Sequence, residues 1–283
     1  MRNIGYYNGK IGPLEEMTIP MDDRAVYFGD GIYDVSTILK GKFFAVDHHI
    51  DRFFRCCEEL EMPLHITKEE FRGILNQLKD LLDPDVEYAT FYYQASRGIA
   101  PRNHIYPKDA KPTLLITLKA NAAPDYDKKA TLITHPDVRF QLCHIKTLNL
   151  IPNVMASQRA AEAGVTEAVL HKDGRVTECA HSGLAFLKNG TVVTTPLSCE
   201  ILPSITRAHL VEICKTNNIP LEERNYTLEE LREADEVLVL ATSKLFMPAV
   251  ALEGKPLGGK DPALLGKLRS LYFDYIDAHL TDN

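Results

Sequence analysis

Lys146 lies in His144-Ile145-Lys146-Thr147-Leu148-Asn149-Leu150, between apolar Ile145 and Leu148. An amine in such surroundings loses hydration, which favours its neutral form and frees a lone pair to attack an aldehyde, the requirement of a Schiff-base lysine. A lone lysine on a strand edge is ordinarily a solvated charge, so its companions matter. Val176-Thr177-Glu178 opens another strand-forming stretch and offers a carboxylate. Ser204-Ile205-Thr206-Arg207 follows Pro203 at a helix start, where free N–H groups and the positive end of the dipole suit a phosphate, and Thr206 adds a hydroxyl. Arg52, in His49-Ile50-Asp51-Arg52-Phe53, falls near the apolar face of an expected helix and suits a bidentate phosphate contact. Arg102 and His104 stand two apart, so in an extended segment both face one way and can act together on a carboxylate. Taken singly, each has a plainer reading as a hairpin acid, an ordinary cap, a salt-bridged arginine or a solvated loop.

The chain that must position these groups has 283 residues, enough for two domains or one large one with a sizeable core. It is 45% hydrophobic and 25% charged, and its formal charge of −7 argues against a dedicated nucleic-acid or anionic-membrane surface. Apolar runs such as Val237–Leu240 are strand length, too short to span a bilayer, and the opening residues lack the apolar run of a signal peptide. The six cysteines show no zinc spacing and are sparse for a disulfide scaffold. The expectation is a cytoplasmic protein with reduced thiols and no metal. Cys143 and Cys179 lie within three residues of candidate side chains, but a buried cysteine is usually a small hydrophobe, and neither is assigned a role.

Asn8-Gly9 and Lys40-Gly41 predict hairpin turns, and Asp47 an N-cap for a helix through about Glu61. Thr67-Lys68-Glu69-Glu70 is a capping box opening a second helix, with strands near 88–95 and 113–119. Residues 1–120 thus read as an α+β domain, 121–127 as a breaker-rich linker and 128–283 as a second domain. In the latter a strand near 130–135 precedes the Lys146 segment and a helix from Pro152 to Ala163. Asp173-Gly174 and Asn189-Gly190 turns argue a meander, and helices begin at Ser204, Thr227 and near 262.

Phe28-Gly29-Asp30-Gly31-Ile32-Tyr33-Asp34, His49-Ile50-Asp51-Arg52, Ile145-Lys146-Thr147-Leu148-Asn149, Val176-Thr177-Glu178 and Ser204-Ile205-Thr206-Arg207 occur in the order and spacing of the class IV aminotransferases, which the chain resembles over nearly its whole length. The loop Arg97-Gly98-Ile99-Ala100-Pro101-Arg102-Asn103-His104 is similar to that of the D-amino-acid subgroup. The resemblance implies an α/β protein of fold type IV, with an α+β N-terminal domain and a barrel-like α/β C-terminal domain that binds pyridoxal 5'-phosphate. It implies that Lys146 carries the cofactor, that Glu178 faces its ring nitrogen, and that Arg52, the Ile205 and Thr206 backbone and the Thr242 hydroxyl hold its phosphate. Arg139 and Glu167 match a polar network around the cofactor. Tyr33, Arg102 and His104 would hold the substrate carboxylate, the latter two reaching in from the other subunit, so a homodimer is implied, with the cofactor between domains at the subunit boundary. The implied reaction is ping-pong transamination between a D-amino acid resembling D-alanine and a 2-oxo acid resembling 2-oxoglutarate.

Two stretches depart from the pattern. Cys179-Ala180-His181-Ser182-Gly183 stands where the resembling D-specific enzymes carry a run rich in Gly and Ser, and Leu240-Ala241-Thr242-Ser243-Lys244 is less hydroxyl-rich than the resemblance leads one to expect. His181 reads as a hydrogen-bonded structural histidine, and phosphate affinity is expected to be weaker. Alternatives within the fold are transamination of branched-chain L-amino acids or (R)-amines, and aminodeoxychorismate lyase. A non-catalytic cofactor-binding or interaction protein is the remaining one.

Overall fold

The computed structural model describes residues 1–282. It forms two compact units: Met1–Ala123 with Ile145–Asn149 and the C-terminal residues from His279, and Pro124–His144 with Leu150–Ala278. A single cut at 121–127 assigns Ile145–Asn149 and the C-terminus to the second domain. Main-chain hydrogen bonds place them in the first: Tyr33 N–H donates to the Lys146 carbonyl at 2.9 Å, Leu148 N–H donates to the Gly31 carbonyl at 3.0 Å, and Leu280 pairs with Phe44.

In the first unit, Asn3–Tyr7 (β1) and Lys10–Pro13 (β2) meet at Asn8-Gly9, both at positive φ, a turn whose twist matches the strands it joins. A short helix, Arg24–Phe28 (α1), precedes Gly31–Leu39 (β3) and Lys42–Phe44 (β4). Helices Val46–Glu59 (α2) and Lys68–Asp80 (α3) are followed by Tyr88–Ser96 (β5) and Thr113–Ala120 (β6). The antiparallel sheet runs Leu280–Thr281, β4, β3, β5, β6, β1, β2. Ile50, Phe53, Phe71 and Leu75 of the helices join Phe91, Tyr93, Ile116 and Leu118 of the sheet in one core. There the Tyr93 ring stands edge-on to Phe53 and Phe71 at 5.0 and 5.1 Å. The capping box at Thr67 forms as its sequence predicts. Asp47 is not an N-cap: Ala45, at φ 50°, starts α2, and Asp47 sits in the first turn, paired with Arg72 at 2.5 Å.

The second unit comprises Ala130–Pro136 (β7), Ile151–Glu162 (α4), Glu167–Lys172 (β8), Arg175–Cys179 (β9), Gly183–Lys188 (β10) and Thr191–Thr194 (β11). Then come Ile205–Thr216 (α5), Leu221–Glu223 (β12), Leu228–Arg232 (α6), Glu236–Ala241 (β13), Leu245–Leu252 (β14), Lys255–Pro256 (β15) and Pro262–Ala278 (α7). The mixed sheet runs β12, β11, β10, β13, β14, β7, β8, β9, with β15 on β14. Val237–Leu240, buried on both faces, is accordingly a central strand. The expected meander does not form. Both Gly turns make hairpins, β8–β9 and β10–β11, but β13 takes the edge of β10 that β9 would need, with Gly183 opposite Leu240. Among the described residues no helix is long and apolar enough to cross a membrane.

Candidate active site

Lys146 is held against the start of β3. Thr147 bridges to Ile32, and the Lys146 N–H contacts the Cys56 sulfur at 3.4 Å. Gly31 makes this approach possible, because a Cβ there would lie 2.2 Å from the Ala95 carbonyl oxygen and 3.0 Å from Leu148. The half-buried Lys146 Nζ donates to the Tyr33 hydroxyl at 3.2 Å and lies 4.3 Å from the centre of its ring. Tyr33 is stacked on Tyr92, whose own hydroxyl is pushed up to about 12 by burial and by Tyr33. Among the described residues no carboxylate pairs with Nζ, so the amine is held by a neutral group.

Next to it lies a buried ionic triad. Arg52 donates through Nε and Nη2 to the two oxygens of Asp34, both at 2.7 Å, and His49 Nδ1 lies 2.8 Å from Asp34. Burial pushes the Asp34 carboxyl up, but Arg52 and His49 outweigh it and hold it well below the usual carboxylate range. Burial also pushes His49 down more than Asp34 raises it, with the charges of Arg52 and Lys146 acting the same way. Arg52 is therefore a guanidinium fixed in direction by a carboxylate. In the sequence Asp34 is only an acid within the β3 strand, and nothing local marks Arg52, 18 positions on, as its partner.

The loop after Gly98 is not a strand, yet Arg102 and His104 converge. The Arg102 guanidinium lies 5.1 Å from the centre of the Phe28 ring, and the His104 ring lies 5.1 Å from the same ring. Both side chains are on exposed residues.

In the second unit Glu178, at the end of β9, pairs with Arg139 and accepts the Leu202 N–H at 3.2 Å. Arg139 also holds Asp137 at 2.7 Å, and Thr177 donates to Asp137 at 2.7 Å. Burial raises Asp137, but Arg139 and Thr177 reverse this and leave it below its ordinary value. Burial pulls Arg139 down, and Asp137 and Glu178 more than restore it. Glu178 is thus a carboxylate kept in place by a fixed cation. Asp137 had no motif to mark it.

Ser204 caps α5, its hydroxyl accepting the Arg207 N–H at 3.2 Å. The Ile205 and Thr206 N–H groups have no acceptor within the helix. The Ser204 Cβ and the Leu240 Cβ both come within 3.6 Å of where a Gly183 Cβ would be, so the helix start lies beside the end of β13. Thr242 follows in the turn into β14. Arg207 serves the fold, donating to the Thr195 carbonyl and to Glu223.

Glu167, fully buried, collects the two departing stretches. It accepts from Ser182 at 2.9 Å and from Lys244 at 2.7 Å, and His181 Nδ1 lies 3.1 Å away. Lys244 Nζ also reaches His181 Nε2 at 2.9 Å, so His181 is hydrogen-bonded at both nitrogens. Burial raises the Glu167 carboxyl, but His181 and Lys244 lower it below its ordinary value. Lys244 carried no signal in the sequence beyond its place in the turn that follows Thr242.

Taken separately, the first unit supplies an amine that pairs with no carboxylate among the described residues and a guanidinium fixed by Asp34, and the second supplies a carboxylate held by arginine and a capped helix start; these are the kinds of group that suit a phosphorylated aldehyde with a basic ring nitrogen. Residues 31–252 match the class IV amino-transferase family, and the chain belongs to it. It is a transaminase of fold type IV, acting on amino acids and 2-oxo acids with pyridoxal 5'-phosphate as cofactor. A protein named D-alanine aminotransferase from Listeria monocytogenes serotype 4b is 34% identical over 275 residues, covering 95% of this chain and 94% of that protein. One of the same name from Staphylococcus aureus is 34% identical over 279 residues, covering 97% and 98%. In fold the chain is similar to a branched-chain aminotransferase from Thermoproteus uzoniensis solved with norvaline (TM-score 0.88, 19% identity, 98% of each chain). It is likewise similar to the branched-chain amino acid aminotransferase from Escherichia coli (TM-score 0.87, 16% identity, 100% of this chain and 97% of that one).

Proposed function

We infer that the enzyme transfers the amino group of a D-amino acid, D-alanine or one close to it, to a 2-oxo acid such as 2-oxoglutarate. It works as a cytoplasmic homodimer whose active site takes Arg102 and His104 from the partner subunit. The observation that carries the amino-transfer chemistry is Lys146 Nζ held by the Tyr33 hydroxyl, with no carboxylate among the described residues paired to it. The D-amino-acid class rests on the likeness to the two D-alanine aminotransferases and on the Arg102 and His104 loop.

When bound, pyridoxal 5'-phosphate supplies an aldehyde for an amine and a protonated ring that accepts the electron pair left on the substrate Cα. Lys146 would hold the cofactor's aldehyde end, and its Nζ would serve as the base that takes the Cα proton of the substrate. Tyr33 orients Nζ. Glu178, steadied by Arg139, keeps a negative charge at the ring nitrogen. Arg52, the Ile205 and Thr206 N–H groups and the Thr242 hydroxyl hold the phosphate, with Asp34 setting the direction of Arg52. Arg102, His104 and Tyr33 fix the substrate carboxylate and hence the face of Cα that meets Lys146.

The test is a panel of D- and L-amino acids mixed with holoenzyme, following loss of the cofactor's visible absorbance. D-alanine is expected to bleach faster than L-alanine or L-leucine. Bleaching by L-amino acids alone removes the substrate assignment and leaves the family intact.

A further inference from the structure

The two stretches in which this chain departs from the family pattern meet in space. His181 and Lys244 are 63 positions apart and touch at 2.9 Å. A carboxylate only accepts and an ammonium only donates, so His181 carries its hydrogen on Nδ1, toward Glu167, and accepts from Lys244 at Nε2. The remaining reach of Lys244 goes to Glu167 and, at 3.3 Å, to Ser182. The Lys244 side chain is 14% exposed and Glu167 is fully buried, so their ion pair is shielded from solvent.

Lys244 closes the turn that carries Thr242, its own N–H donating to the Ala241 carbonyl at 3.0 Å. The next residue, Leu245, sits at φ 54°, a conformation that a leucine adopts only when its surroundings hold it. On the other side, His181 and Ser182 belong to the loop that follows Glu178, which is tied down by Cys179 N–H to the Ser182 carbonyl at 2.8 Å and by Asn153 to the Ala180 carbonyl at 2.6 Å. One buried carboxylate therefore anchors both the Thr242 turn and the loop after Glu178.

We propose that Lys244 is a positioning residue: held by Glu167 and His181, it fixes the Thr242 turn in place and so sets the affinity for the cofactor phosphate. This rests on the assignment of Thr242 to the phosphate. Losing a charge-assisted anchor of this kind weakens a bound group about tenfold.

The experiment compares equilibrium binding of pyridoxal 5'-phosphate and of pyridoxal, which lacks the phosphate, to the apoenzyme of wild type, Lys244→Met, Lys244→Arg, Thr242→Ala and the double variant T242A/K244M. Lys244→Met is expected to raise the dissociation constant for pyridoxal 5'-phosphate about tenfold and leave that for pyridoxal unchanged, with Lys244→Arg restoring most of the loss. The double variant is expected to lose less than the product of the two single losses, because both act at one place. Equal weakening of both ligands by Lys244→Met, or no weakening, overturns the proposal, as does a multiplicative double variant. Should Lys244→Met fail to fold, Lys244→Arg against T242A decides: Lys244→Arg matching wild type in phosphate preference supports the proposal, and Lys244→Arg losing both ligands alike overturns it. Absence of pyridoxal 5'-phosphate binding by wild type is a different result and removes the functional reading itself.

Discussion

Tyr33 and Lys146 are joined twice, once through the main chain at 2.9 Å, Tyr33 N–H to Lys146 carbonyl, and once through the side chains at 3.2 Å, Lys146 Nζ to Tyr33 hydroxyl. The first contact sets where the lysine stands and the second where its amine points. They are separable by mutation. Tyr33→Phe keeps the backbone bond and the stack on Tyr92, so the unfolding midpoint in urea should stay put while kcat/KM falls about tenfold or more. Lys146→Ala should abolish the pyridoxyl tag that borohydride leaves on the holoenzyme, read by peptide mass spectrometry. A tag that persists on another residue sinks the assignment of Lys146.

Arg52 is 8% exposed and Asp34 is not exposed at all. Removing one partner of such a pair strands the other charge in a dry site, so Asp34→Ala should cost about 3–5 kcal/mol of stability by urea unfolding. A loss below about 1 kcal/mol would show that water reaches the triad.

Glu178→Gln keeps an acceptor for the Leu202 N–H but removes the negative charge beside Arg139. If that charge serves the ring nitrogen, kcat should drop on the order of 100-fold while Lys146 still takes the borohydride tag. Unchanged kcat at saturating substrate refutes the role.

Arg102 and His104 belong to exposed residues against Phe28, so alanine at either should shift stability by no more than about 0.5 kcal/mol. Each should raise KM for D-alanine about tenfold by removing a charge-assisted contact to the carboxylate. Steady-state kinetics with D-alanine and 2-oxoglutarate provides the check.

Glu167 has a folded value below its ordinary 4.5, so it binds fewer protons folded than unfolded and its contribution is fully present above pH 4.5. That contribution disappears as pH falls from there through the lowered folded value. Urea titrations of wild type and Glu167→Gln should therefore converge in stability below pH 4.5 and separate above it, and parallel curves across that window would contradict the ion pair.

Much of this arrangement is written in local chemistry. The capping box at Thr67 and the helix start at Ser204 follow from side chains bonding to backbone three residues on, and the Asn8-Gly9 and Asp173-Gly174 turns from residues that tolerate positive φ, both of which a sequence states directly. The candidate groups Lys146, Glu178, Thr206 and Arg52 stand out in the sequence for a different reason, since their order and spacing resemble those of the family to which the chain belongs. What only the tertiary structure decided are pairings that span long stretches of chain. Asp34 was invisible as the acid that directs Arg52, β13 displaced β9 from the edge of β10, and Ile145–Asn149 left its neighbours to join the first unit. Asp47 lost its capping place to Ala45, whose left-handed backbone starts α2 two residues earlier. His181 and Lys244, two unrelated oddities in the linear chain, became one clasp only because β8 delivers a buried carboxylate between them, and a buried charge must find its partners wherever folding has put them.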